Sequence, residues 1–255
     1  MSVDSAPLVF ITGASSGIGQ ALARRFRAAG WRLALVARRE DELRRFVQAQ
    51  SYDEHTAQVY VADVADGPSI TAAGRSCVGR QGLPDAVIAN AGISVGIDSA
   101  RLEDLQVLRD TLQTNVFGIA ATFQPFIEPM RQRRRGALVG VASVAGIRGL
   151  PGHAAYCASK AAVIAYCESV RGECRPFGVR VVTLVPGYID TPLTRGNPYS
   201  MPFLLSADAF ADAAFAAVTA GRSYCVIPWP MAVVAKLLRL LPNAWFDRLL
   251  AGRPR

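Results

Sequence analysis

"PLVFITGASSGIG", residues 7–19, decides the fold. Its first half, Leu8 to Ile11, is continuously apolar and lacks the alternation of a half-buried strand. Such a run, bounded by turn formers, predicts a parallel strand buried on both faces. Its second half spaces Gly13, Gly17 and Gly19 as G-x-x-x-G-x-G. Glycines let the chain turn sharply and approach a bulky anion, and the helix that follows aims its free N–H groups at that anion. Ser15 and Ser16 add hydroxyl donors. The spacing differs from the G-x-G-x-x-G dinucleotide fingerprint, but the physics is shared. Strand, glycine turn and helix together read as a phosphate site at the start of a nucleotide-binding domain.

The alternation continues outward. Further apolar runs at 31–37 (WRLALVA), 57–64 (AQVYVADV), 85–92 (DAVIANAG), 136–146 (GALVGVASVAG), 179–187 (VRVVTLVPG) and 223–228 (SYCVIP) read as strands. Helical patterns fall between them at 17–29, 39–50, 68–79, 154–176 and 206–220. A longer helical tract at 102–134 is expected to bend near Pro125 or to split in two. This order predicts an α/β fold: a Rossmann-like, doubly wound parallel sheet of about seven strands in a single domain.

Bulk composition agrees. A chain of 255 residues, 51% hydrophobic and 19% charged, suits one large domain and excludes global disorder. The start "MSVDSAPLVF" has no basic n-region and too short an apolar run for a secretory signal. No stretch approaches the ~18 apolar residues of a spanning helix. Five cysteines, no C-x-x-C pair and two histidines argue against zinc and for reduced thiols, hence a cytoplasmic protein. The net charge of +8 comes almost wholly from arginine, with lysine only at 160 and 236. The basic residues are scattered, apart from "RQRRRG" at 131–136, which reads as a solvated helix end. No nucleic acid is expected as partner; a small anionic ligand is.

The end of the second strand selects that ligand. An NAD site carries Asp or Glu about 20 residues after the glycines, to accept from the ribose 2′-OH. Here "LVARRED" offers Ala37, Arg38 and Arg39. Guanidinium suits a 2′-phosphate, so the cofactor expected is NADP(H), with Arg38 the preferred contact. The opposing reading is an ordinary helix start in which Glu40 and Asp41 neutralise the arginines.

Four elements now line up: "TGASSGIG" at 12–19, "NAG" at 90–92, Ser143 in "VASVAG", and Tyr156-x-x-x-Lys160 in "HAAYCASKAA". Together they resemble the short-chain dehydrogenase/reductase superfamily, in its compact single-domain branch, over nearly the whole chain. The resemblance implies cofactor contacts by Gly13, Ser15, Ser16, Gly17, Ile18 and Gly19, by Asp63 and Val64 at the adenine, and by Asn90, Ala91 and Gly92. It also implies contacts to the nicotinamide half from Pro186, Gly187, Ile189 and Thr191 in "PGYIDTP". One departure is Ala142, where the family commonly has serine before its catalytic serine. The C-terminal stretches "MPFLLS" and "IPWPMAVVAKLLRLLP" resemble a bacterial subgroup of oxidoreductases without assigned substrates.

The chemistry follows from residue types. Tyr156 and Lys160, at i and i+4, share a helix face. A nearby cation favours phenolate over phenol, so such a tyrosine can give a proton to a carbonyl oxygen or take one from an alcohol. By resemblance, Ser143 holds the same oxygen, Lys160 also binds the nicotinamide ribose, and Asn115 anchors a water that extends the proton relay. Cys157, beside Tyr156, reads as a bystander, and His153 either faces the substrate or sits at the surface.

The expected substrate is an apolar ketone or aldehyde, or the alcohol. Its expected pocket takes Ser94, Val95, Ile147, Arg148, Leu150, His153, Tyr188, Leu193, Met201 and Phe203. The 188–205 loop, with Gly196 and prolines 192, 198 and 202, reads as a substrate lid. The apolar tail at 229–251 is left three readings: packing beside the pocket, a subunit contact, or peripheral contact with a membrane. The resemblance implies a homodimer or homotetramer through the helices at 102–134 and 154–176. Two alternatives to an NADP(H)-dependent enzyme stay open: an NADP(H)-binding sensor or regulatory protein on the same fold, and an NAD(H)-dependent dehydrogenase.

Overall fold

A computed structural model describes residues 6–197 and 200–251. Seven parallel strands form one sheet: β1 (Leu8–Thr12), β2 (Arg32–Ala37), β3 (Ala57–Val61), β4 (Ala86–Ala89), β5 (Gly136–Val141), β6 (Val179–Pro186) and β9 (Tyr224–Ile227). Their order is β3-β2-β1-β4-β5-β6-β9. The chain therefore reverses direction across the sheet between β1 and β4, and a crevice opens there at the carboxyl ends of the strands.

Side chains alternate across β1 with period two. Val9 and Ile11 join Leu22, Phe26, Leu43, Phe46 and Phe210 on one face of the sheet. Leu8 and Phe10 join Ile70, Phe123, Phe126, Met130 and Val163 on the other. The first face is covered by α1 (Gly17–Ala28), α2 (Glu40–Ala49) and α7 (Ala207–Thr219). The second is covered by α3 (Gly67–Gln81), α5 (Gly118–Arg133) and α6 (Ala154–Cys174). With both faces covered, all five residues of β1 are buried, as its unbroken apolar run requires. Arg24 and Arg25 on α1 reach Asp208 and Asp212 on α7, at 2.6 and 2.8 Å.

The tract at 102–134 divides, but not at Pro125. It forms α4 (Asp104–Leu112), a π-helical turn (Gln113–Phe117) and α5. Pro125 lies inside α5, where Gly74 of α3 leaves room for its ring: a Cβ on Gly74 would stand 2.6 Å from Pro125 Cγ. Nor is "RQRRRG" simply a solvated helix end. Arg133 donates to the carbonyls of Leu83 and Pro84, Arg135 to Asp85, and Arg131 to the Glu173 carbonyl.

The loop expected as a lid has its ends tied together. A second, two-stranded parallel sheet pairs β7 (Ile189–Asp190) with β8 (Leu205–Ser206). Pro198 lies outside the described residues. The tail folds as two helices, α8 (Trp229–Leu240) and α9 (Asn243–Leu250), separated by Pro242. No helix among the described residues is long and apolar enough to cross a membrane.

Candidate active site

Two compartments meet at the carboxyl ends of β1, β4 and β5. The first is a cleft edged by the glycine turn on one side and the ends of β2 and β3 on the other. Gly13, Ser15, Ser16, Arg38, Arg39, Asp63, Val64, Ala91 and Gly92 all line it. The turn is shaped for close approach. Gly13 has φ +69°, and a Cβ there would stand 2.9 Å from Ala91 Cα. A Cβ on Gly19 would stand 2.1 Å from the Gly13 carbonyl oxygen. Asn90 holds the turn from outside the cleft, donating from Nδ2 to the Thr12 carbonyl at 3.0 Å. Ile18 packs on the core. Ile93 and Thr114 line the cleft as well. Nothing in their local sequence marks them, because the β4 loop and the π turn bring them there.

The arginines divide the cleft's outer edge. Arg39 Nη2 donates to Ser15 Oγ at 3.1 Å and so reaches across to the glycine turn. Arg38 stands 3.6 Å from Asp63 in an exposed ion pair, a contact of little net strength. The donor set fits a dinucleotide. Bare glycine backbone and a helix N-terminus suit a pyrophosphate, and two guanidiniums stand where β2 ends.

The second compartment is an apolar cavity of about 220 Å³. Ser143, Tyr156 and His153 stand among its lining residues. Of the other expected residues, Ser94, Ile147, Arg148, Leu150, Tyr188 and Leu193 line it, and Gly187 joins them. Val95, Met201 and Phe203 do not: Val95 and Phe203 are exposed, and Met201 turns to Asn197. The remaining wall comes from the tail, in line with the first of the three readings of 229–251. Met231, Val234, Ala235 and Leu238 of α8 and Phe246, Leu249 and Leu250 of α9 close the cavity. Thus the tail packs on its own domain beside the pocket.

Arg148 makes that packing possible. It lines the cavity, and its guanidinium is engaged by the α8–α9 segment. Its Nη1 donates to the carbonyls of Leu238, Arg239 (3.3 Å) and Leu241 (2.6 Å), at the C-terminal end of α8. Its Nη2 donates to Asn243 Oδ1 at 3.1 Å, and its guanidinium lies 3.8 Å from the Phe246 ring centre. Such a cation satisfies carbonyls that a helix end leaves without partners.

Lys160 sits between the compartments. It is buried, donates to the Val141 carbonyl at 2.9 Å, and lies 5.7 Å from the centre of the Tyr156 ring. A Cβ on Gly92, in the wall of the first cleft, would stand 3.5 Å from its Nζ. Burial pushes the Lys160 pKa down to about 8. Burial pushes the Cys157 thiol the other way, upward, so this cysteine is not activated. Ser143 is buried at the start of a 3-10 turn, where its Oγ accepts from the Ala145 N–H at 3.2 Å.

Asn115 is fully buried in the π turn and acts as a strap. Its Oδ1 accepts from the Ile93 N–H at 2.8 Å, and its Nδ2 donates to the Ile93 carbonyl and to Ser159 Oγ, both at 2.9 Å. Ser159 Oγ in turn donates to the Tyr156 carbonyl at 2.7 Å. The loop after β4 is thereby tied to the helix that carries Tyr156. Pro186 closes β6, Ile189 is buried in β7, and Thr191 packs against Gly17.

A Rossmann-like fold with a glycine-turn cleft beside an apolar cavity defines a nucleotide-binding enzyme class. Within it, residues 7–199 match the short chain dehydrogenase family, and the chain belongs to that family. An uncharacterized oxidoreductase of Myxococcus xanthus is 36% identical over 237 residues, 93% of each chain. An actinorhodin polyketide ketoreductase variant solved with NADPH is 25% identical with a TM-score of 0.80, covering 89% of this chain and 97% of that one. A short chain dehydrogenase/reductase of Burkholderia phymatum solved with NAD is 23% identical with a TM-score of 0.82, covering 100% and 98%. The protein is a short-chain dehydrogenase/reductase, an oxidoreductase of a family that uses nicotinamide cofactors.

Proposed function

We propose that the protein is an NADP(H)-dependent carbonyl reductase, or alcohol dehydrogenase in reverse, acting on an apolar substrate with Tyr156 as proton donor and acceptor. One observation carries the reading: buried Lys160 lies beside both the Gly92 wall of the cofactor cleft and the Tyr156 ring that lines the apolar cavity. The glycine turn, Asp63, Val64 and the Asn90–Gly92 loop would hold the cofactor, with Arg38 and Arg39 on its 2′-phosphate. Pro186, Gly187, Ile189 and Thr191 would bound its nicotinamide half. When bound, that cofactor supplies or accepts the hydride.

The chain's own residues handle the oxygen and its proton. Ser143 and Tyr156 hydrogen-bond the substrate oxygen at the polar end of the cavity. Tyr156 gives its proton as the alkoxide forms. The Lys160 ammonium, charged below about pH 8, offsets the negative charge left on the phenol oxygen. Asn115 positions Tyr156 through Ser159 and holds the cofactor-side loop through Ile93. The cavity wall from α8 and α9 is apolar, and the guanidinium nearest it is engaged by the end of α8. A neutral, apolar carbonyl compound suits this lining better than an anionic one.

Ala37 ends β2 and, like the two arginines, lines the cleft. Combining Ala37→Asp with Arg38→Ala puts an acceptor where the ribose 2′-OH would lie and removes one guanidinium. The wild type should bind NADPH at least tenfold more tightly than NADH, and the double variant should reverse the order. Equal affinity of the wild type for both cofactors, measured by calorimetry, would reject the NADP(H) assignment.

A further inference from the structure

The proposed reaction uses only the inner face of α8–α9. On the outer face, Trp229, Val233, Leu237 and Leu240 follow the i, i+4, i+8, i+11 spacing of a single helix stripe. On α9, Trp245 and Leu249 are spaced i, i+4 and are also exposed. These six side chains are between 49% and 80% exposed. A run of exposed apolar side chains at helical spacing marks an interaction surface.

The charges around the stripe say what it fits. Residues 229–251 contain three cations, Lys236, Arg239 and Arg248, and one anion, Asp247, all exposed. A twofold pairing would join two faces of the same net positive charge, which disfavours it. A bilayer with anionic headgroups accommodates both features. Apolar side chains enter the acyl boundary while Lys and Arg meet the headgroups, and tryptophan, amphipathic at the indole N–H, is suited to that boundary.

We propose that the outer face of α8–α9 binds the surface of anionic phospholipid membranes. Leu249 is both exposed and part of the cavity lining, so the membrane-facing side is also a wall of the pocket. The proposal stands on the surface alone and does not depend on the reaction.

Flotation of the full chain with vesicles tests it. Vesicles of equal parts phosphatidylcholine and phosphatidylglycerol should carry the protein at least tenfold better than phosphatidylcholine alone, and less well as salt rises. Leu237→Glu combined with Leu240→Glu should abolish flotation. Lys236→Glu combined with Arg239→Glu should weaken it about fivefold or more for each cation lost. Both variants should keep the wild-type melting temperature, since all four side chains are exposed. Absence of flotation, or flotation undiminished in the Leu237/Leu240 variant, would overturn the proposal. So would a concentration-dependent dimer that Leu240→Glu dissolves with no lipid binding by the wild type.

Discussion

Burying the Lys160 ammonium costs the folded chain stability, and the sign of its pKa shift says where in pH that cost is felt. The group titrates near 8 when folded, against an ordinary lysine value of 10.5. Between those values the unfolded chain binds more protons than the folded one, so stability rises with pH across that window. Below about pH 8 both states are charged and the full cost remains. Lys160→Met removes the charge at similar length but also loses the bond to the Val141 carbonyl. Net stabilisation of about 2 kcal/mol at pH 7 is expected, falling as pH rises above 8 and giving way to a net loss of about 1 kcal/mol by about pH 10.5, where only the lost bond counts, with turnover lost. Urea unfolding of both forms across pH 6 to 10 checks this; equal stability of variant and wild type at pH 7 would refute it. The Tyr156–Lys160 spacing was legible because i and i+4 are neighbours on any helix. The bonds of Asn115 were not, because its partners Ile93 and Ser159 come from segments 22 and 44 residues away. Arg38 and Arg39 were legible as a pair. Which of them crosses to Ser15 depends on side-chain directions that neighbouring positions in sequence do not reveal.

Among the elements, the C-terminal pair shows most clearly where sequence reading stops. Apolar helices announce that they pack, but not against what. The reading of 229–251 left three partners open, and the structure shows α8–α9 closing the pocket through Arg148. That arginine lies about 90 residues from the carbonyls it serves, so local pattern could only place it near the pocket. Arg148→Ala should loosen this wall. A roughly tenfold rise in KM for bulky apolar ketones is expected, with kcat for small ketones and the NADPH dissociation constant within twofold of wild type. Steady-state kinetics with a graded series of ketones measures it; an unchanged KM for the bulky members would deny Arg148 this positioning role. The break at Gln113–Phe117 has a similar lesson. Proline at 125 suggested a kink, since proline removes a helix N–H. Gly74 instead admits its ring, and the wider π turn that carries Asn115 is the irregularity the site uses.

For the whole molecule, strand–helix alternation was enough to foresee the sheet, its parallel sense and the crevice at the switch between β1 and β4. Apolar runs report burial on both faces, and connection length reports the parallel crossover. The two-stranded sheet of β7 and β8 has no such pattern in the sequence, since its strands are two residues each. What joins fold to function is the meeting of two compartments of opposite chemistry. One is polar, glycine-lined and edged by arginine; the other is apolar and closed by the tail. The polar groups set at their junction are Ser143, Tyr156 and Lys160. The most direct measurement is NADPH fluorescence decay with a panel of apolar ketones and aldehydes, wild type beside Tyr156→Phe. Turnover by the wild type is expected, with at least a hundredfold loss in the variant and NADPH affinity within twofold. Undiminished turnover by Tyr156→Phe, or tight NADPH binding by a wild type that oxidises it with none of the panel, would contradict it.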